Sequence, residues 1–179
     1  MISIPIGLRN AIETGNCVLF IGAGVGSHFR RVDGSNAPNG RELCELLCKK
    51  FGITYEDGFS LAQISEIVEK RNNRQVLENF ISSQLSNLTP DESFCYLSKM
   101  RWKSIFTTNY DNCIERAYQL NSSPPQKPIS YSITSDVKST HPLIDVPIYH
   151  VHGYFLSGEN PNIIITKSDY AKFRYRRKM

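Results

Sequence analysis

Residues Asn16 to Ile21, NCVLFI, form a short unbroken apolar run that stops at Gly22, Gly24 and Gly26. Such a run predicts a strand buried on both faces that enters a tight loop. From about Gly40 to Met100 the spacing becomes helical: Leu43, Leu46, Leu47 and Phe51 share a face, as do Leu61, Ile64 and Val68, and then Leu77, Phe80, Ile81 and Leu85. Gly52 is expected to end the first of these helices. Thr89, Pro90 and Glu92 predict an N-cap, an N1 proline and a capping-box acid ahead of a short helix carrying Phe94 and Leu97. Short segments rich in β-branched or aromatic residues then return at Ser104 to Thr108, Ile129 to Ile133, Pro147 to Val151 and Ile163 to Thr166. The first is followed by DNCIERAYQL, which has the look of a helix.

Strands alternating with helices predict an α/β fold with a parallel sheet and helices on its faces. The stretches NSSPPQKP, from Asn121, and SDVKSTHPLIDVP, from Ser135, have the composition of loops. We therefore expect a single domain over 1–179, with 1–38 and 101–179 as its core and 39–100 as an all-helical insert. A length of 179 residues, 40% hydrophobic and 21% charged, suits one globular domain. No apolar stretch approaches the ~20 residues of a membrane span, and the N-terminus has no leader pattern, so the expected location is cytoplasmic. The five cysteines, Cys17, Cys44, Cys48, Cys95 and Cys113, are scattered through apolar segments without CxxC pairs and read as reduced thiols. The charge of +4 is mild, and the closing run Arg174, Arg176, Arg177 and Lys178 reads as a solvated helix end, so nucleic acid is not an expected partner.

Candidate chemistry begins with the loop GAGVG. After an apolar strand, Gly22, Ala23 and Gly24 would let backbone N–H groups approach a diphosphate where a Cβ would collide. A plain tight turn explains the same residues equally well. The acid that a dehydrogenase fingerprint needs ~20 residues further on would fall in the helical stretch, so hydride transfer is not expected.

In TTNYDN, a strand through IFTTN puts Ile105, Thr107 and Asn109 on one face, with Asn109 at the carboxyl end where open α/β sheets bind ligands. Asn112 and Glu115 would cap the helix that follows, and capping is the plainer reading of Asn109 and Asp111 as well. In IYHVHGYF, a strand places Ile148, His150 and His152 on one face, with Gly153 opening the turn immediately after His152. A histidine at such an edge can act as a base or acid near neutral pH. The pair could instead ligate a metal, but no second cluster of ligands completes a site, and His150 is expected to be packed or hydrogen-bonded inside the sheet.

GAGVG, TTNYD and HVHG, in that order and each at a strand end, resemble the sirtuin superfamily, with KSDY at Lys167 to Tyr170 resembling the bacterial sirtuin-like effectors of antiphage defence that hydrolyse NAD. The resemblance spans Asn16 to about Tyr154. It implies a Rossmann-like three-layer sandwich. By position, it implies that Gly22, Ala23 and Gly24 cradle the diphosphate of NAD, that Thr108 and Asp111 belong to the cofactor-binding set with Asp111 beside Asn109 in the nicotinamide and ribose pocket, and that His152 and Asn109 are catalytic. The activity implied is hydrolysis of NAD to nicotinamide and ADP-ribose, with a non-catalytic NAD or ADP-ribose-binding module as the alternative. A protein deacylase is a weaker alternative, because the paired CxxC zinc motifs of that branch do not occur in the sequence. No metal is expected. The chain departs from the family pattern by stopping before a further glycine-rich strand, so a C-terminally incomplete domain is expected. Ser27 and Pro38 match family positions only approximately. Partners implied are NAD and either a second copy or a separate sensor protein.

Overall fold

The computed structural model describes residues 4–132, 135–136, 139–155 and 163–176. In chain order its elements are α1 (Ile6–Glu13), β1 (Val18–Ile21), a 3-10 turn (Ala23–His28), β2 (Phe29–Arg30), α2 (Gly40–Phe51), α3 (Leu61–Arg71) and α4 (Arg74–Leu85). There follow β3 (Thr89–Pro90), α5 (Glu92–Cys95), a second 3-10 turn (Tyr96–Lys99), β4 (Ser104–Thr107), α6 (Cys113–Leu120), β5 (Lys127–Ser132), β6 (Asp145–His150) and α7 (Lys167–Arg176).

Four strands form one sheet in the order β1-β4-β6-β5, and every neighbouring pair is parallel. This is the α/β, Rossmann-like arrangement that alternating strands and helices require, because parallel neighbours must be joined by crossovers. Ile21 lies opposite Thr107, Thr107 opposite His150, and Ser132 opposite His150. The four strands thus end level, and the loops after β1, β4 and β6 leave from one edge.

Strand β1 has one sheet neighbour, which corrects the expectation that it is buried on both faces. Val18 is 50% exposed and Phe20 67%, while Ile21 is buried and Leu19 packs on the core. An unbroken apolar run cannot tell an interior strand from an edge strand with one open face. Strand β6 runs from Asp145 to His150, starting two residues before and ending one before the Pro147 to Val151 that the apolar pattern predicts. Strand β5 ends at Ser132; Ile133 lies outside the described residues, as do Val137, Lys138, Arg177 and Lys178.

Two other expected elements differ. Thr89 and Pro90 form a short strand antiparallel to β2, and Asp91 is the N-cap of α5, its side chain accepting from Phe94 N–H at 2.8 Å. The cap is one residue beyond the proline because Pro90 is held in the ladder instead. Ile163 to Thr166 form no strand although all four are buried. Ile163 and Ile165 pack with α2, α3 and α4, and the segment is tied down by Ile164 N–H donating to His152 O at 2.8 Å. β-branched residues were read there as sheet, but they fill a helical core.

The helices follow the apolar spacing closely. Leu43 and Leu47 of α2, Ile64 and Val68 of α3, and Leu77 and Ile81 of α4 are all buried in one cluster. Asn39 with Glu42 and Ser60 with Gln63 make capping boxes for α2 and α3, and Gly52 closes α2 in the left-handed region at φ 63°. A second cluster, with Ile105, Ile148, Val146, Ile114 and Ala117, joins the sheet to α6. All five cysteines are free thiols, and burial pushes Cys44 up to about 11. No helix among the described residues is long and apolar enough to cross a membrane.

Arg74 joins the helical layer to α7. Its guanidinium contacts Glu78 at 2.6 Å, Asp169 at 2.7 Å and the carbonyl of Ile163, while Glu66 accepts from Ser168 N–H and Oγ. Asp169 also accepts from the N–H groups of Ile165 and Thr166, starting α7. Arg74→Ala leaves two carboxylates and a carbonyl without their shared donor, and should lower unfolding free energy by about 3 kcal/mol in urea titration. A loss below ~1 kcal/mol would mean that the contact is the ordinary surface kind.

Candidate functional site

At the level strand ends, the loops after β1 and β4 face each other across a small open cleft of about 80 Å³. Ala23 and Gly26 line it from the first loop, and Thr108, Asn109, Tyr110 and Asp111 from the second. Pro38, Asn39 and Gly40 bring the N-terminal end of α2 to its wall, and Phe29, Leu43, Leu61 and Leu85 make it largely apolar. A second, more polar hollow of about 240 Å³ shares Leu85 and Asp111 with the first and carries Arg116 and Asn87.

The structure therefore brings Ala23, Thr108, Asn109 and Asp111 together. Gly22 and Gly24 stand beside Ala23 but are not themselves among the lining residues. Gly22 is extended at φ −122°, and neither glycine adopts a positive φ. A Cβ at Gly24 would meet nothing within 4 Å, and one at Gly22 only Thr108 Oγ1 at 3.8 Å. Within the chain itself, nothing demands glycine at either position.

Asn109 is pinned by its backbone. Its N–H donates to Thr107 Oγ1 at 3.0 Å, and its carbonyl lies 3.5 Å from His150 Nδ1. Its side-chain oxygen Oδ1 is buried and has no hydrogen-bond partner. A buried acceptor left empty costs about 1–3 kcal/mol, so its retention at a cleft wall marks a place where a donor can be received.

Asp111 carries the cap of α6 that the sequence assigned to Asn112. Its Oδ1 accepts from Cys113 N–H at 3.0 Å, whereas Asn112 occupies the N-cap position without a side-chain bond. Glu115 does not complete a capping box, because its carboxylate turns inward to His150 and Ser130. Burial raises Asp111 above the usual carboxylate range, opposed by the Cys113 N–H bond.

His152 is not a strand residue, since β6 stops at His150 and the chain turns at Val151 and His152. Gly153 follows in the left-handed region at φ 77°, its N–H donating to His150 O at 3.0 Å. The alternation expected to put His150 and His152 on one face thus breaks after His150. His152 does not line the cleft. Its ring lies 6.5 Å from that of Tyr110, which does, and meets Tyr170 of α7 edge-on at 5.3 Å. Burial lowers His152 below the ordinary imidazole value, and a hydrogen bond with the Thr108 backbone opposes this.

Tyr110 and the buried pair of His150 and Glu115 escaped sequence reasoning. Tyr110 donates from its hydroxyl to Ile164 O at 2.7 Å and joins cleft, His152 and Phe155. Its signal in the sequence is only its position inside TTNYD. Among the described residues no group of three or more His, Cys, Asp or Glu is arranged to hold a metal.

The dual character of Asp111 is open to a direct check. Asp111→Asn keeps the acceptor for Cys113 N–H and removes the buried charge, so its melting temperature should equal or exceed that of the parent. Asp111→Ala should lose about 1 kcal/mol through loss of the cap. An Asn variant less stable than the Ala variant would refute the assignment.

Residues 103–179 match the family model of the SIR2-like domain. Over 166 residues, 91% of this chain, the sequence is 25% identical to a protein of Enterococcus faecium described as NAD(+) hydrolase ThsA, and the chain spans 32% of the length of that relative. An α/β fold with a parallel four-stranded sheet, three motif loops at one edge and a family match over residues 103–179 make the chain similar to the SIR2-like domain, with a distant similarity to a protein described as an NAD(+) hydrolase.

Proposed function

We propose that the chain hydrolyses NAD to nicotinamide and ADP-ribose, in the manner of the antiphage effectors its motifs resemble. The observation that carries this reading is the buried, unpartnered Oδ1 of Asn109 at a cleft whose opposite wall is the GAG loop. Glycines that the chain itself does not need, at Gly22 and Gly24, support a bound group packed close to the backbone of that loop. The adjoining polar hollow gives room for the second half of a dinucleotide.

In this reading the bond between the nicotinamide nitrogen and ribose C1′ breaks, its electron pair leaving with nicotinamide. The cationic sugar is captured by water, which releases one proton. Asn109 and Asp111 orient the ribose and nicotinamide, Thr108 and Ala23 with Gly22 and Gly24 hold the rest of NAD, and His152 accepts the proton. Burial helps here by keeping the imidazole neutral and ready as a base.

A second reading is a module that binds NAD or ADP-ribose without turning it over. It is favoured by the absence of His152 from the cleft lining. Incubation with NAD, followed by chromatography of nicotinamide and ADP-ribose, separates the two readings. Release of both products is expected; NAD binding by calorimetry without release would establish the binding module.

His152→Ala should lower turnover by ~10²- to 10⁴-fold with an unchanged fold. Turnover equal to the parent would remove His152 from the reaction. Because burial depresses His152, the acid limb of kcat/KM against pH should fall below the ordinary histidine value of about 6.5. The neutral base is then lost only as pH drops through that lower value. A limb at or above 6.5 would contradict the assignment.

A further inference from the structure

His150 is the first histidine of HVHG, and the proposed reaction gives it no part. Its side chain is fully buried, and each ring nitrogen faces an oxygen. Nε2 lies 2.8 Å from Glu115 Oε1, and Nδ1 lies 3.5 Å from the main-chain carbonyl of Asn109. The ring is stacked on Tyr154, with centroids 3.9 Å apart and planes 16° from parallel. Glu115 also accepts from Ser130 Oγ on the neighbouring strand, while its second oxygen, Oε2, is buried without a hydrogen-bond partner.

Both oxygens can only accept, so the donors here belong to the histidine ring. Against the opposing effect of burial, the hydrogen bond and charge of His150 hold the Glu115 carboxyl below its ordinary range. This pair is costly to bury, and an apolar pair of similar volume would fill the same space without that cost. What the polar pair adds is direction, because it reaches the peptide that carries Asn109.

Asn109 is thus gripped from two sides. Thr107 Oγ1 holds its N–H, and Thr107 is itself fixed by the ladder, its carbonyl accepting from Val151 N–H at 3.0 Å. His150 Nδ1 reaches its carbonyl at 3.5 Å, the long limit of such a contact. The side chain extends from this fixed peptide with Oδ1 buried and empty. We propose that the Glu115 and His150 pair is a positioning device that fixes the Asn109 peptide, and so aims the Asn109 side chain at the substrate ribose or amide in the cleft. Its catalytic consequence rests on the NAD-hydrolase reading; the positioning of Asn109 does not.

Two substitutions separate direction from packing. His150→Asn can reproduce the Nδ1 donor toward Asn109 but cannot reach Glu115. His150→Gln can reproduce the Nε2 donor toward Glu115 but loses the Asn109 contact. The shorter and stronger bond is the one to Glu115, so His150→Gln should have the higher melting temperature. Turnover should run the other way. In His150→Gln, kcat falls by about 10²-fold with KM little changed, and His150→Asn recovers roughly 10-fold of that loss. Turnover that follows melting temperature, or equal turnover in the two variants, would overturn the proposal.

If the parent chain does not cleave NAD, the hydrolase reading fails and the device is tested by NMR. The side-chain amide signal of Asn109 should keep its position in His150→Asn and move or broaden in His150→Gln; the same behaviour in both would refute it. Should neither His150 variant fold, Glu115→Gln keeps the shape and one acceptor but removes the charge. It must still displace the Asn109 signal, and an unmoved signal would likewise overturn the proposal.

Discussion

Parallel pairing in register is the constraint on which the rest depends. Because Ile21, Thr107 and His150 share one row of the sheet, the chain leaves β1, β4 and β6 at one height. Strands that run antiparallel would have sent alternate loops to opposite ends. Here the first residues past the row are Gly22, Thr108 and Val151, and the three motifs that follow are delivered to one edge without any contact between them in sequence. Backbone bonds fasten the row: Thr108 N–H donates to Ile21 O and Val151 N–H to Thr107 O. The cleft is thus a by-product of strand alignment, and its chemistry depends on what each loop carries.

The α/β class and most helices were legible because their signals are local and periodic. Leu43 and Leu47, or Ile64 and Val68, mark a buried face through spacing alone. The pocket residues of TTNYD were legible from their place at a strand end. The difference between Asn109 and Asp111 was not. Both are short polar side chains after a strand, yet one is kept with an empty acceptor and the other caps a helix. Capping could have been assigned wrongly to Asn112 for the same reason: several residues in a row could serve, and backbone geometry selects one. By contrast N39-x-x-E42 and S60-x-x-Q63 had no competing neighbours and formed the boxes their letters suggest.

The errors share a physical origin. Exposure of Phe20, packing of Ile163 on helices and the inward turn of Glu115 are each decided by partners far away in the chain. Glu115 meets His150, 35 positions later, and nothing near either residue announces the pairing. A charged residue on a helix next to the sheet reads as solvated until its partner strand is placed. Composition is silent on such pairs.

Arg74 carries a consequence for how the molecule is assembled. It contacts Glu78 within its own helix and lies 3.6 Å from Glu69 of α3, while the Ile163 carbonyl and Asp169 lie 89 and 95 residues further on. A chain emerging from the ribosome completes α2, α3 and α4 long before these partners exist. Until that later segment is made, the core of the helical layer lacks Ile163 and Ile165, and Arg74 lacks Asp169. Contacts of such long sequence separation are slow to close. Order at the cleft, which borrows Leu43 and Leu61 from that layer, is tied to this later segment through the bond from the Tyr110 hydroxyl to the Ile164 carbonyl.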